Sequence, residues 1–358
     1  MNFDDARAQF PVLDRIAYLN AGSMGPLARQ TIEAMAARQQ RDLEQGRGGR
    51  VYIDEMLALR DRVRAGLAAI IGVQPEKVAL TTSTTEGCNI VLSGLRLRPE
   101  DEVVTTDTEH FGLLGPLHAS GARVRVARIR ALPPEQALET ILAEVGPKTR
   151  LLALSHVSWQ TGNLLPVEEL QAETGLPLLV DGAQTAGTIP VDATRFDFYT
   201  VSGQKWLCGP DSTGALYVRE PGELHVALPT YFSQDEYEDT GEYKPKAGAA
   251  RFDRGWIPTA SLAGVDAALG TIPHWAAHHA REIAARCWSM LSDRFRVITA
   301  PGQATLVSFV PEGDPAEEAV RLLGHGVLVR DMPGTGWLRV SCGWWTSDGD
   351  LERLVGAL

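Results

Sequence analysis

Seven short runs rich in Val, Ile, Leu or aromatic residues alternate with helix-compatible stretches, and this alternation restricts the chain more than any other feature. The runs are Val78–Thr82, Glu102–Thr106, Arg123–Ile129, Arg150–Val157, Pro177–Val180, Phe196–Val201 and Thr213–Arg219. Strands that follow one another through helical crossovers pair in parallel, and a parallel sheet must be covered on both faces. The pattern therefore predicts an α/β domain with one large, mostly parallel seven-stranded sheet. Thr85–Leu95, Pro134–Val145 and Val167–Thr174 supply crossovers. Ahead of the sheet, Leu27–Glu44 and Glu55–Ile71 are amphipathic, the second carrying Met56, Leu59, Val63, Leu67 and Ile70 at helical spacing. Behind it, Pro221–Arg254 is loop-like and longer than a connection needs to be, which marks a functional segment. From Ile257 onward two helices, strands at Phe295–Thr299, Thr305–Val310, Val327–Arg330 and Trp337–Ser341, and a helix at Pro315–Leu323 describe a smaller C-terminal α+β domain. On these patterns the chain divides into a large domain over 21–255 and a small one built from 1–20 and 256–358.

Composition narrows the function classes. At 358 residues and 44% apolar content there is material for about two domains with buried cores. The net charge of -11 without a basic block lacks the electrostatic footprint of a nucleic-acid binder. No apolar run approaches the ~18–20 residues of a membrane span, and the start MNFDDARAQF is acidic where a signal peptide is basic and then apolar. The expectation is a cytoplasmic protein with a small-molecule partner. Cys88, Cys208, Cys287 and Cys342 stand apart without a C-x-x-C pair, which argues for reduced thiols and against a disulfide framework or a zinc ribbon.

Polar residues just beyond the carboxyl ends of parallel strands are the ones placed to meet a ligand. Lys205 follows one such strand in Ser-Gly-Gln-Lys205, a turn of small residues that lets a ligand approach the backbone. By position alone a lysine after a strand is more often a solvated surface residue. Asp181 ends the strand before it, either to pair with a protonated ring nitrogen of a cofactor or to cap the next helix. Thr81-Thr-Ser-Thr-Thr-Glu joins a strand to a helix start, as an anion site or as an ordinary capping box.

Together these segments resemble the class V aminotransferase family of fold-type I pyridoxal-phosphate enzymes, in particular its isopenicillin N epimerase-like and cysteine desulfurase-like branches. The resemblance runs from Tyr18-Leu-Asn-Ala-Gly-Ser-Met-Gly-Pro-Leu to Trp337-Leu-Arg-Val-Ser. It implies pyridoxal 5'-phosphate as cofactor, Lys205 as the Schiff-base lysine, Asp181 as partner of the pyridine nitrogen and Gln184 as donor to the ring hydroxyl. His110, in Asp107-Thr-Glu-His110, matches the histidine that stacks on the ring and moves protons. Thr84 and Thr85 match the phosphate-binding helix start, with Ser202 and Gln204 beside them. Relatives carry histidine where Gln204 stands, so a hydrogen bond is kept and a titratable proton lost. Asn20, Ala21 and Gly22 fall in the substrate-side loop, and Arg339 matches the arginine that grips the substrate α-carboxylate, a surface ion pair being its alternative. Trp256 occupies the position that completes the phosphate cup of the partner chain in a homodimer, where relatives carry threonine; an interface anchor is its other role. Tyr231, Phe232, Tyr237 and Tyr243 either line the entrance or pack locally.

The resemblance implies an enzyme acting on a small amino acid. Transamination stands first among the outcomes, with epimerisation or C–S β-lyase chemistry next. Desulfurases place a nucleophilic cysteine shortly before the carboxylate-binding arginine, and here that stretch reads Val329-Arg330-Asp331-Met332-Pro333-Gly334. Arg330 there contacts either a second acidic group of the substrate or its own neighbourhood. A catalytically silent cofactor-binding regulator would show erosion at Lys205, Asp181 or His110, and all three are retained.

Overall fold

The computed structural model describes residues 1–358. In chain order, the N-terminal half runs α1 Phe3–Arg7, β1 Ala17–Tyr18, α2 Arg29–Gln45, α3 Gly49–Ile70, β2 Val78–Thr81, α4 Thr84–Gly94, β3 Glu102–Thr106, α5 Phe111–Ala119, β4 Arg123–Ala127, α6 Ala137–Leu142, β5 Thr149–Ser155 and α7 Val167–Thr174. Then come β6 Leu178–Asp181, β7 Phe198–Ser202, β8 Gly214–Val218, β9 Gln234–Tyr237, β10 Tyr243–Pro245, α8 Thr259–Thr271 and α9 Ala276–Ser292. The chain ends with β11 Leu306–Phe309, α10 Pro315–Gly324, β12 Val327–Leu328, β13 Arg330–Met332, β14 Trp337–Ser341 and α11 Asp348–Ala357.

The seven expected strands make one seven-stranded sheet in the order β2-β8-β7-β6-β5-β3-β4, in which only β8 runs against the rest. Successive side chains of a strand point to opposite faces, and here both faces are apolar. In β5, Leu152 and Leu154 join the core under α3, α6, α7 and α8, whereas Leu151 and Ala153 join the core under α4 and α5. Coverage on both faces, at roughly 1.5–3 kcal/mol per buried large aliphatic, holds the strands in register. Their carboxyl ends thereby form one fixed edge.

The smaller part packs α9, α10 and α11 on the antiparallel sheet β11-β14-β13, with β1 pairing in parallel with β12. A fourth apolar cluster joins Phe10 and Ala21 of the N-terminal segment to Trp206 and Cys208 of the lysine turn and to Trp344 and Trp345. This cluster locks the strand-end edge against the smaller part.

Two expectations change, and the domain boundary is redrawn as a proposal. Phe295–Thr299 is not a strand, and only a single bridge links Val297 to Phe309, because the backbone turns away toward a loop at Pro301–Gly302. Ile257, Leu262 and Val265 pack into the large-sheet core beside Leu59 and Val63, so we propose that the division between the two parts follows α8 rather than residue 255. The long segment 221–254 is partly ordered by the β9–β10 hairpin, where Tyr237 opposes Tyr243. No helix is long and apolar enough to cross a membrane.

Candidate active site

The lysine turn is held by its own backbone. Gly203 N–H donates to Thr213 O at 2.8 Å, Gly209 N–H to Gly203 O at 2.9 Å, and Cys208 sits at φ 54°. A non-glycine residue in that left-handed region stores strain, which surrounding structure must fix. Gly25 packs so closely that an added Cβ would lie 2.0 Å from Lys205 O, and its N–H donates to Gln204 O at 2.8 Å. Removal from water pushes the Lys205 ammonium down to about 8, with Arg339 and Arg330 adding to the shift and Asp181 opposing it. A neutral amine is thus accessible near neutral pH.

Asp181 is buried at the end of β6. Its Oδ1 accepts from Ala183 N–H at 2.9 Å and Thr200 Oγ at 3.3 Å, while Oδ2 takes no hydrogen bond from the chain. Gln184 donates from Nε2 to Gly22 O at 2.9 Å and accepts at Oε1 from Trp206 at 3.0 Å. Its amide therefore ties the N-terminal turn to the sheet, and its second N–H is what remains for a ligand. His110 caps α5, with Nδ1 accepting from Gly112 N–H at 3.0 Å, so a neutral ring carries its proton on Nε2. Burial, then the Lys205 charge, holds His110 below the usual imidazole value. Beneath it Glu109, which sequence reasoning passed over, accepts from Ser155 N–H at 2.9 Å, from the Ser155 hydroxyl and from Thr106 Oγ at 2.7 Å. Burial raises the Glu109 carboxyl to about 7.

At the start of α4 the cap is Ser83, which accepts from Glu86 N–H at 3.2 Å. Thr84 and Thr85 open the helix, where free N–H groups and the dipole favour an anion. Ser202 Oγ donates to Gln204 Oε1 at 2.8 Å. Ala21 lies wholly in the core, in the apolar cluster that also holds Trp206 and Cys208 of the lysine turn. Trp256 stands outside this group, 61% exposed and edge-on to Phe232 at 4.9 Å between ring centres.

Arg339 is the most telling side chain. It is 1% exposed, donates to Trp159 O at 2.8 Å and to Ser23 Oγ at 3.3 Å, and its Nε has no partner. No carboxylate faces it. Burial and the neighbouring Arg330 push it down to about 9, still cationic at neutral pH. Arg330, directly opposite across β13 and β14, donates only to Ser23 Oγ at 3.1 Å. Ser23 in turn donates to Asn20 Oδ1 at 2.8 Å. Two cations side by side without an acid call for an anionic ligand. Trp159, edge-on to His110 at 4.9 Å and with its own indole N–H unpaired, was also missed, since a tryptophan after a strand carries no pattern of its own.

This arrangement fits pyridoxal phosphate: an amine of lowered basicity, a buried carboxylate with a free oxygen, a helix start for phosphate, and a buried guanidinium for the carboxylate of an amino acid. Asp181 would hold the ring nitrogen, Thr84, Thr85 and Ser202 the phosphate, and His110 the ring face.

Comparison with known proteins agrees. The chain is 30% identical over 400 aligned residues to isopenicillin N epimerase of Streptomyces clavuligerus, covering 100% of this chain and 98% of the relative. It is 33% identical to a probable cysteine desulfurase of Pseudomonas aeruginosa, over 84% of this chain and 81% of that one. Among solved structures, the cystine C–S lyase C-DES with its product cysteine persulfide superposes with a TM-score of 0.91 at 29% identity, covering 97% and 98% of the two chains. Another C-DES structure, a mutant with glycine covalently linked to its pyridoxal-phosphate cofactor, gives 0.91 at 28% identity. The aminotransferase class-V family matches residues 18–334, and the chain belongs to this family of fold-type I, pyridoxal-phosphate-dependent enzymes.

Proposed function

We propose that this enzyme is a C–S β-lyase for a cystine-like amino acid, one that carries a second carboxylate and a sulfur leaving group on Cβ. The observation that carries the proposal is the pair Arg330 and Arg339, adjacent and without an acid of the chain's own. Pyridoxal phosphate, when bound, supplies an electron sink in conjugation with the substrate amine. Arg339 takes the α-carboxylate in its bidentate fork, and Arg330 takes the distal carboxylate. Lys205, its basicity lowered by burial, accepts the Cα proton. The Nε2–H of His110 donates to the departing sulfur. With cystine and one water the balanced products are cysteine persulfide, pyruvate and ammonia. The stretch where a desulfurase bears its cysteine is here β13 and a tight turn into β14, without a thiol, and all four cysteines are buried.

The test is product analysis on the cofactor-loaded enzyme with cystine, cysteine, and alanine plus a 2-oxo acid. Pyruvate and persulfide in equal amounts from cystine are expected. Amino transfer to the oxo acid, the outcome placed first on sequence, or D-amino acid formation, which the likeness to epimerases favours, would replace this proposal. We also infer a two-fold homodimer: Leu27, Ile32, Val51, Leu57 and Trp256 are exposed apolar residues that a second copy would cover, bringing Trp256 to the partner's phosphate site. Sedimentation at a single-chain mass would oppose it.

A further inference from the structure

We propose that Ser23 is a positioning residue that fixes the arginine pair and thereby sets the preference for two carboxylates; this rests on the diacid substrate proposed above. A serine hydroxyl has one hydrogen and two lone pairs. Its hydrogen goes to Asn20 Oδ1 at 2.8 Å, and both lone pairs accept, from Arg330 Nη1 at 3.1 Å and Arg339 Nη2 at 3.3 Å. The hydroxyl is saturated and is the one group that touches both guanidiniums.

The two arginines depend on it unequally. Arg339 keeps a second anchor at Trp159 O, whereas Arg330 has no other hydrogen bond. Opposed like charges repel, so without the hydroxyl Arg330 is the side chain that swings away. The turn carrying Ser23 is itself fixed on both sides. Gln184 donates to Gly22 O at 2.9 Å, and Gly25 donates to Gln204 O at 2.8 Å. An added Cβ at Gly22 would fall 2.8 Å from Arg339 Nη2, which shows how closely the turn lies on the guanidinium. The distance from the carboxylate clamp to Lys205 is thus referenced through Ser23 to residues flanking the lysine. Ser23 lies in the N-terminal loop that carries the resemblance, but only the folded turn shows its contact with both arginines.

The experiment uses the cofactor-loaded protein and measures binding of glutarate and butyrate by thermal shift and by perturbation of the visible band. The wild type is expected to bind glutarate at least about tenfold more tightly than butyrate. Ser23→Ala is expected to lose about tenfold for glutarate and less than about threefold for butyrate, with the cofactor band unchanged and KM for cystine raised more than kcat is lowered. Ser23→Thr, which keeps the hydroxyl, restores the glutarate affinity. A general structural role would weaken both ligands and lower the melting temperature together. If Ser23→Ala binds glutarate as the wild type does, the assignment of Ser23 falls. If the wild type shows no preference for glutarate, the diacid substrate falls instead.

Discussion

Two pairs of arginines in this molecule have opposite fates. Arg60 and Arg64, on α3, converge on Asp253, which is 1% exposed; Arg60 donates to Oδ2 at 3.0 Å and Arg64 to Oδ1 and Oδ2 at 2.9 and 2.8 Å. Leu80 N–H on β2 adds a further bond at 2.9 Å. Every charge has its partner, and the cluster pins the segment after the β9–β10 hairpin to the sheet edge. Arg330 and Arg339 face one another across β13 and β14 and have no acid. A buried ion pair that is complete is architecture, whereas buried cations that lack an anion cost stability and persist where a ligand supplies the charge.

Breaking the complete cluster has the largest effect on stability. Asp253→Ala leaves two buried guanidiniums unpaired and should cost about 3–5 kcal/mol in denaturant unfolding. If it costs under about 1 kcal/mol, the contrast between the pairs is wrong. At the incomplete pair the effect moves from stability to catalysis. Arg339→Met should lower kcat/KM for amino acids on the order of 100-fold, about 3 kcal/mol, while the cofactor-free protein melts no lower than the wild type. A large loss of stability would make Arg339 structural. Arg330→Met sharpens the comparison further: KM for cystine should rise about tenfold while the affinity for monocarboxylic ligands stays within about twofold.

A smaller effect belongs to Glu109, a buried acid with hydroxyl and amide donors and no cation. Its folded-state value, about 7, lies above the unfolded 4.5, so the unfolded chain releases the proton first. Its contribution is present below pH about 4.5 and is lost as the pH rises to about 7. Glu109→Gln should flatten the fall in unfolding free energy between pH 5 and pH 8; an unchanged slope would show that Glu109 does not titrate there.

The sheet was legible because most of its strands are apolar on both faces, and each of the seven expected runs overlaps one of its strands. Helix α5 was not, because Phe111–Ala119 holds two glycines and Pro116 and lacks an amphipathic stripe. The site residues at strand ends, Asp181 and Lys205, are marked by the apolar runs before them. The roles of Ser23 and Asp253 are not: the arginines that Ser23 touches lie 307 and 316 residues away, and those of Asp253 lie 193 and 189. Such contacts exist only once the chain is folded. Strand Phe295–Thr299 was overcalled because an apolar run near a sheet does not fix whether it pairs.

The most direct measurement is the visible spectrum of the cofactor-loaded protein titrated with cystine and with alanine, in the wild type, Lys205→Ala and Arg339→Met. The account predicts a band that requires Lys205 and that cystine shifts at concentrations about 100-fold lower in the wild type than in Arg339→Met. A band that forms without Lys205, or a cystine response indifferent to Arg339, would contradict it.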